Sequence, residues 1–220
     1  MEKIADEVYL LDGRPKYAYN AYLVGDVLVD SGSRWAARRI LRQLAGRRVR
    51  SHVVTHAHPD HQGSSHVVCE RLGLSLACGA ADADALEHGT LAEAAPDHPV
   101  VRWQLKHWAG PPHPVDRRLR EGDEVAGFEV LETPGHTHGS ISLWRESDRL
   151  LIVGDVLNRR PKVLGGEIGE APPGFCLDPQ RNRASIRRLA ALEPRVVCFG
   201  HGRPLHGAGH VQEFASTLRE

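Results

Sequence analysis

Short apolar runs punctuated by glycines and polar turns dominate the first part of the chain. Val8-Tyr9-Leu10-Leu11 predicts an opening strand, with Asp12-Gly13 and Pro15 as its turn. Ala21 to Val24, Gly25-Asp26 and Val27 to Asp30 predict a tight hairpin. From Arg34 to Ala45 the spacing of Ile40, Leu41 and Leu44 is helical, and Gly46 stops it. A strand over 51–55 follows, then a serine-capped helix carrying Val67, Val68 and Leu72 to Gly73. Leu74 to Cys78 predicts a strand and Ala80 to Glu87 a helix. Residues 96–118 hold Pro96, Pro99, Pro111, Pro112 and Pro114 and are expected to be irregular, apart from a short helix around Val100 to Trp108. Strands are expected near 124–126, 128–133, 141–145 and 149–153. A helix over Pro179 to Leu192, a last strand into His201 and a short helix over Val211 to Leu218 close the chain. Asn158 to Asp178, rich in Gly and Pro, shows no period, and loops of that length in compact domains are usually functional or disordered.

Alternating strand and helix signals predict an α/β fold built in layers. The length of 220 residues suits one domain, taken as 1–220, without internal repeat or low-complexity tract.

One stretch concentrates the chemistry. Thr55-His56-Ala57-His58-Pro59-Asp60-His61 sets three imidazoles and a carboxylate in six positions, directly after the apolar Val53-Val54. On an extended segment His56 and His58 point to one side, and the turn imposed by Pro59 can return Asp60 and His61 towards them. A histidine-rich surface loop is the bland alternative. It loses ground because the pattern recurs downstream. Val130-Leu131 leads through Gly135 to His136, Leu150 to Gly154 leads to Asp155, and Val196 to Gly200 leads to His201. A buried strand delivers a residue to the rim of a sheet, and the glycine lets the backbone turn tightly beside it. Strands ending this way can gather His56, His58, Asp60, His61, His136, Asp155 and His201 at one rim. Imidazole and carboxylate suit Zn²⁺, Fe²⁺ and Mn²⁺ alike. Two such ions ~3.5 to 4 Å apart hold a bridging water whose pKa falls towards ~7, a hydroxide nucleophile that needs no Ser or Cys.

The order HxHxDH, lone His, lone Asp, final His resembles the metallo-β-lactamase superfamily over nearly all of the chain. The resemblance implies a four-layer αββα sandwich of two mixed β-sheets. It implies one ion on His56, His58 and His136, another on Asp60, His61 and His201, and Asp155 between them, with Zn²⁺ expected first and Fe²⁺ or Mn²⁺ as alternatives. Asp60 would also orient the hydroxide and receive its proton. With all seven positions filled, the chain is closer to the thioesterase and lactonase branches, including glyoxalase II, than to the true β-lactamases. The implied activity is hydrolysis of a small ester, thioester or lactone by a metal-bridging hydroxide. Two other readings are a mononuclear-iron, persulfide-dioxygenase-like enzyme and a metal-dependent binding module without turnover. Only 19 residues follow His201, where glyoxalase II carries a helical region for glutathione, and Val156, Leu157 and Asn158 stand where the acyl-homoserine lactonases place a Tyr.

By the same resemblance Asp30, in Asp30-Ser31-Gly32, would lie beneath the metals as acceptor for a ligand imidazole. The alternative is a cap for the helix beginning near Ser33. Insertions at this point of the family overhang the site, so Trp103 and Trp108 either wall a pocket or pack in the core. Arg159, Arg160 and Lys162 follow Asp155 closely and are expected to meet an anionic group of the substrate, a solvated turn being the alternative.

Lys plus Arg and Asp plus Glu both number 28, so global charge points to neither nucleic acid nor an anionic membrane, and a small-molecule substrate is the expected partner. The arginines between Arg34 and Arg50 have the spacing of a solvated helix face. The four cysteines form no CxxC pair, and Cys69 and Cys198 sit in apolar runs as small buried hydrophobes. No leader-like start or membrane-length apolar run is present, so a cytoplasmic location is expected. The nine histidines outside the motif set, among them His52, His66, His113 and His138, are mostly expected at the surface.

Overall fold

A computed structural model describes residues 1–159, 166–172 and 174–219. Among them, β1 (Glu2–Ala5), β2 (Val8–Leu10), β3 (Tyr22–Val24), β4 (Val27–Val29), β5 (Ser51–Val54), β6 (Ser75–Gly79) and β7 (Arg117–Leu119) form one sheet in sequence order. Pairing is antiparallel from β1 to β4 and parallel from β4 to β7. In the second sheet β8 (Glu124–Val125), β9 (Phe128–Glu132), β10 (Ile141–Arg145) and β11 (Leu150–Ile152) run as an antiparallel meander. A ribbon of β12 (Asn158–Arg159) and β13 (Ile168–Gly169) follows. Then β14 (Val196–Cys198) joins β11 in parallel and β15 (Leu205–His206) closes the edge. The helices are α1 (Ala37–Leu44), α2 (Pro59–Gln62), α3 (Ser65–Leu72), α4 (Ala83–His88), α5 (Pro99–Trp108), α6 (Pro179–Ala191) and α7 (His210–Thr217).

Alternation along the strands builds three buried layers. Tyr22, Val24, Val27, Val29, Val53 and Ala77 face Val130, Ile141, Leu143, Leu150, Ile152 and Cys198 between the sheets. The opposite faces carry Leu23, Leu28, Val54 and Leu76 towards α1, α3 and α4, and Leu131, Trp144, Leu151, Val153 and Val197 towards α6 and α7. The result is the four-layer αββα sandwich. Cys69 and Cys198 are buried, as their apolar surroundings predict.

The short helix expected around Val100 to Trp108 is present as α5 and starts one residue earlier, with Pro99 in its first turn, where a missing N–H is harmless. Two expectations are corrected. The opening strand is not Val8 to Leu11 alone: β1 precedes it, an edge strand with only Ile4 buried and therefore no apolar run to announce it. His52 is fully buried in β5, not at the surface.

His52 holds the layer beneath the motif together. Its Nδ1 donates to Leu28 O at 3.0 Å, which leaves Nε2 as acceptor for Ser65 Oγ at 2.8 Å. Ser31 Oγ lies 3.0 Å from Ser65 Oγ and donates to His61 O at 3.0 Å. Burial holds the His52 imidazole down at about 4, against the ordinary 6.5. Between these values the unfolded chain binds the extra proton and the folded chain does not, so stability present at neutral pH is lost as pH falls from about 6.5 to about 4. At ~1.4 kcal/mol per unit this component is about 3 kcal/mol. His52→Gln should therefore be most destabilising at neutral pH, with a penalty that shrinks towards pH ~4.5 as this proton linkage disappears. Urea midpoints of both proteins at equal metal load measure it; a gap that does not change with pH would reject the linkage.

Candidate metal centre

All seven residues of the sequence pattern converge. β5 ends at Val54, and extended backbone carries His56 and His58 to the start of α2, whose single turn, begun by Pro59, swings Asp60 and His61 inward. From the second sheet the β9–β10 loop brings His136, the end of β11 brings Asp155, and the end of β14 brings His201. His58 Nδ1 is 2.9 Å from His136 Nε2, with the His56 ring centroid 4.7 Å from each of their rings. On the other side His61 Nε2 is 3.5 Å from His201 Nε2, and Asp60 Oδ2 is 3.3 Å from the same His201 atom. Asp155 spans the two groups: Oδ1 lies 3.4 Å from His61 Nε2, while Oδ2 lies 2.9 Å from His201 Nε2 and 3.7 Å from His136 Nε2. The centre is buried except on one side, where the His201 side chain is 25% exposed and Asp60 11%.

The ring orientations are set from behind. Thr55 Oγ1 donates to Asp30 Oδ2 at 2.9 Å, so it accepts from His56 Nδ1 at 3.0 Å. Asp30 Oδ2 also accepts from His61 Nδ1 at 2.9 Å. His201 Nδ1 donates to Ala18 O. In each case the outer nitrogen holds a proton and Nε2 faces the centre, the orientation that metal-ligating histidines use. Asp30 therefore acts as acceptor to an imidazole; α1 begins at Ala37, with Ala36 at its cap position, and takes no side-chain cap.

This donor set fits a cation. His56 Nε2 and Asp155 Oδ1 are buried with no hydrogen-bond partner among the described residues, a costly condition that ligation removes. Two nitrogens on one tetrahedral Zn²⁺ stand about 3.3 Å apart for bonds of ~2.0 to 2.1 Å, close to the His61 to His201 separation of 3.5 Å. Burial, reinforced by neighbouring imidazoles, drives His56 well below its usual range and His136 down to about 3, so both offer lone pairs at neutral pH. For His61 burial pulls downward, but Asp155 and Asp30 overrule it and push the ring up to about 10. His201 is raised in the same way by Asp155 and Asp60. Asp60, which burial alone would raise, is held at about 2 by His201 and His61. The carboxylates thus demand positive charge, supplied by protons on His61 and His201 or by divalent cations whose binding releases those protons.

Close backbone approach makes room for the cluster. A Cβ on Gly200 would lie 2.1 Å from Asp155 Oδ1 and 2.6 Å from His61 Cε1, so only glycine lets this strand end pass beneath them. The His201 loop is tied to the opposite sheet by Asn20, which donates to Phe199 O at 2.8 Å and Gly202 O at 2.7 Å, and by Tyr22, which donates to Phe199 O at 2.8 Å.

Two contributors went unnoticed in the sequence. Asp82, fully buried in a short 3₁₀ turn before α4, accepts from Ala57 N at 2.8 Å, Thr137 Oγ1 at 2.7 Å and Gly139 N at 2.7 Å. One carboxylate thereby clasps the loops that carry His56, His58 and His136. Tyr19 packs edge-on against His201, with centroids 5.5 Å apart, and against Trp108 at 5.3 Å. Trp108 thus reaches the open side through Tyr19, while Trp103 is half exposed, outside the core, and packs edge-on against Trp108 at 5.4 Å. The guanidinium of Arg159 does not project freely: it donates to Gly166 O at 2.9 Å, Arg203 O at 3.3 Å and Pro204 O at 3.2 Å. Arg160 and Lys162 lie outside the described residues.

The model of the metallo-beta-lactamase superfamily matches residues 14–201. The chain belongs to that superfamily. The probable metallo-hydrolase YflN of Bacillus subtilis (strain 168) is 28% identical over 221 residues, covering 88% of this chain and 80% of that protein. The acyl-coenzyme A thioesterase MBLAC2 of Gallus gallus is 34% identical over 125 residues, 51% of this chain and 43% of its own. The crystal structure of TTHA1623 in a di-iron-bound form superposes with a TM-score of 0.64 at 30% identity, over 90% of this chain and 88% of that one. Within this superfamily scaffold the Asp82 clasp supports the loops from outside the seven side chains. Asp82→Ala should weaken metal retention by about 10- to 100-fold, the usual range for partners that orient ligands. Competition against a chelator measures this, and an unchanged affinity would leave Asp82 with a purely structural part.

Proposed function

We propose that the chain is a dinuclear metal-dependent hydrolase acting on a small ester, thioester or lactone. The observation that carries the reading is the convergence of seven donors, all but His201 buried, together with the outer hydrogen bonds by which Thr55, Asp30 and Ala18 fix His56, His61 and His201. In this reading His56, His58 and His136 hold one ion, Asp60, His61 and His201 hold the other, and Asp155 serves both. When bound, such a pair supplies a water acidified towards a pKa of ~7 and an electrophilic contact for the acyl oxygen. The residues of the chain do the rest. Asp60 stays ionised and sits on the partly exposed side, where its carboxylate orients the attacking water and takes up its proton. Asp30 and Thr55 keep the inner lone pairs available, and the buried surroundings of His56, His58 and His136 exclude competing water. Burial and the nearby Asp60 charge hold the Tyr19 phenol protonated, a donor on the rim beside His201. The superfamily membership, the thioesterase relative and the di-iron structural relative support the class of reaction and the pairing of ions.

Purified protein is expected to carry close to two transition-metal ions per chain. Elemental analysis finding that wild type, after incubation with Zn²⁺, Fe²⁺ or Mn²⁺, holds at most one ion more than a variant lacking the rim ligands (His56→Ala/His61→Ala) would remove the dinuclear reading and favour the mononuclear-iron oxygenase instead. On a panel of esters and thioesters, Asp60→Asn with matched metal content should lower kcat by about 10²-fold or more and change KM far less, as for an interaction made mainly in the transition state. An unchanged kcat at full metal occupancy would take Asp60 out of the mechanism.

A further inference from the structure

Away from the rim cluster, three more potential ligands meet on the outer face of α3. His66 and Glu70 stand four residues apart on that helix, the spacing that stacks two side chains on one face. His113 comes from the segment linking α5 to β7, where its own N–H is fixed to Leu86 O at 3.2 Å. His113 Nδ1 lies 3.3 Å from His66 Nδ1 and 3.9 Å from Glu70 Oε1, and the rings stand nearly perpendicular at 79°. One ligand atom from each of the three residues falls within 4.8 Å of the other two.

The separation of the nitrogens matches the edge of a Zn²⁺ tetrahedron, about 3.3 Å for bonds of ~2.0 to 2.1 Å. The Glu70 side chain is 63% exposed and takes part in no other ion pair among the described residues, so a rotation can bring its oxygen to the same point. Burial, with His66 next to it, lowers the His113 imidazole, which keeps it neutral and able to ligate near pH 7. A second acidic group with a histidine, Asp84, Glu87 and His88, is different, because Arg118 already donates to both of its carboxylates at 2.6 Å.

We propose that His66, Glu70 and His113 bind a single divalent transition-metal ion, Zn²⁺ by donor type, at a site separate from the rim cluster. Three protein ligands leave a fourth position open to water on the exposed side of Glu70. The ion fastens α3, which starts four residues after His61, to the segment that follows α5. Since Trp108 at the end of α5 packs on Tyr19, and Tyr19 on His201, this clip steadies the arm bordering the open side of the centre.

The test adds Zn²⁺ to the purified holoenzyme, removes loosely bound metal by dialysis, and compares wild type with His66→Ala/His113→Ala by elemental analysis and Tm. Wild type should hold one Zn²⁺ per chain more than the double variant, and added Zn²⁺ should raise the Tm of wild type only. Glu70→Gln, a change at an exposed side chain that leaves folding intact, should lose the same ion and gives the answer if the double variant folds poorly. Equal zinc contents in wild type and Glu70→Gln, with equal Tm responses, overturn the proposal. The inference does not depend on the rim stoichiometry: His56→Ala/His58→Ala should keep the additional ion, so a rim cluster holding one metal would leave the predicted difference in place.

Discussion

The Asp30 carboxylate is the constraint on which the centre depends. It is buried at the end of β4, on backbone with φ of 59°, a region in which Asp is among the few tolerated non-glycine residues. From there it accepts the Thr55 N–H at 2.8 Å, the Thr55 hydroxyl and the His61 imidazole. These bonds join the ends of two neighbouring parallel strands and, through the Thr55 hydroxyl, fix His56 as well. A neutral side chain in its place would leave His61 Nδ1 without a charged acceptor, so the ring's orientation and basicity would both drift.

Around that hub, the first sheet contributes four of the donors and the second sheet three. His56, His58, Asp60 and His61 follow β5 of the first sheet, while His136, Asp155 and His201 follow strands of the second. Cross-ties keep the halves in register: Asp82 links the β5 loop to the β9–β10 loop, and Asn20 and Tyr22 hold the loop of His201. Packing between the sheets, dense with Val, Leu and Ile, supplies the rigidity that short loops alone would lack.

What could be read from the chain alone follows from how locally each feature is encoded. The seven donors were legible because each sits directly beyond a buried apolar run, and the hairpin of β3 and β4 because its turn and alternation are contiguous. Asp82 was not, since its three partners lie 25 to 57 residues away and only folding assembles them. His52 looked like one more surface histidine because nothing nearby marks a polar residue in a strand as buried; its partners arrive from β4 and α3. The edge strand β1 lacks apolar alternation for the opposite reason, since one of its faces meets water. Arg159 illustrates a further limit: a guanidinium near a cluster promises an anion site in sequence, whereas the fold turns it onto the carbonyls of its own ribbon and the loop beyond His201.

The split origin of the donors has a thermodynamic meaning. On the proposed reading, an ion shared by Asp155 and the imidazoles of the first sheet would bind only while the two sheets keep their mutual alignment, which would link its affinity to the docking of one half of the sandwich on the other. Sliding of the sheets by a fraction of an ångström would register first as metal leakage, well before secondary structure is lost. Metal occupancy would thus become a gauge of interlayer alignment, and a change in the apolar layer between the sheets, however distant from the rim, could act on chemistry through it.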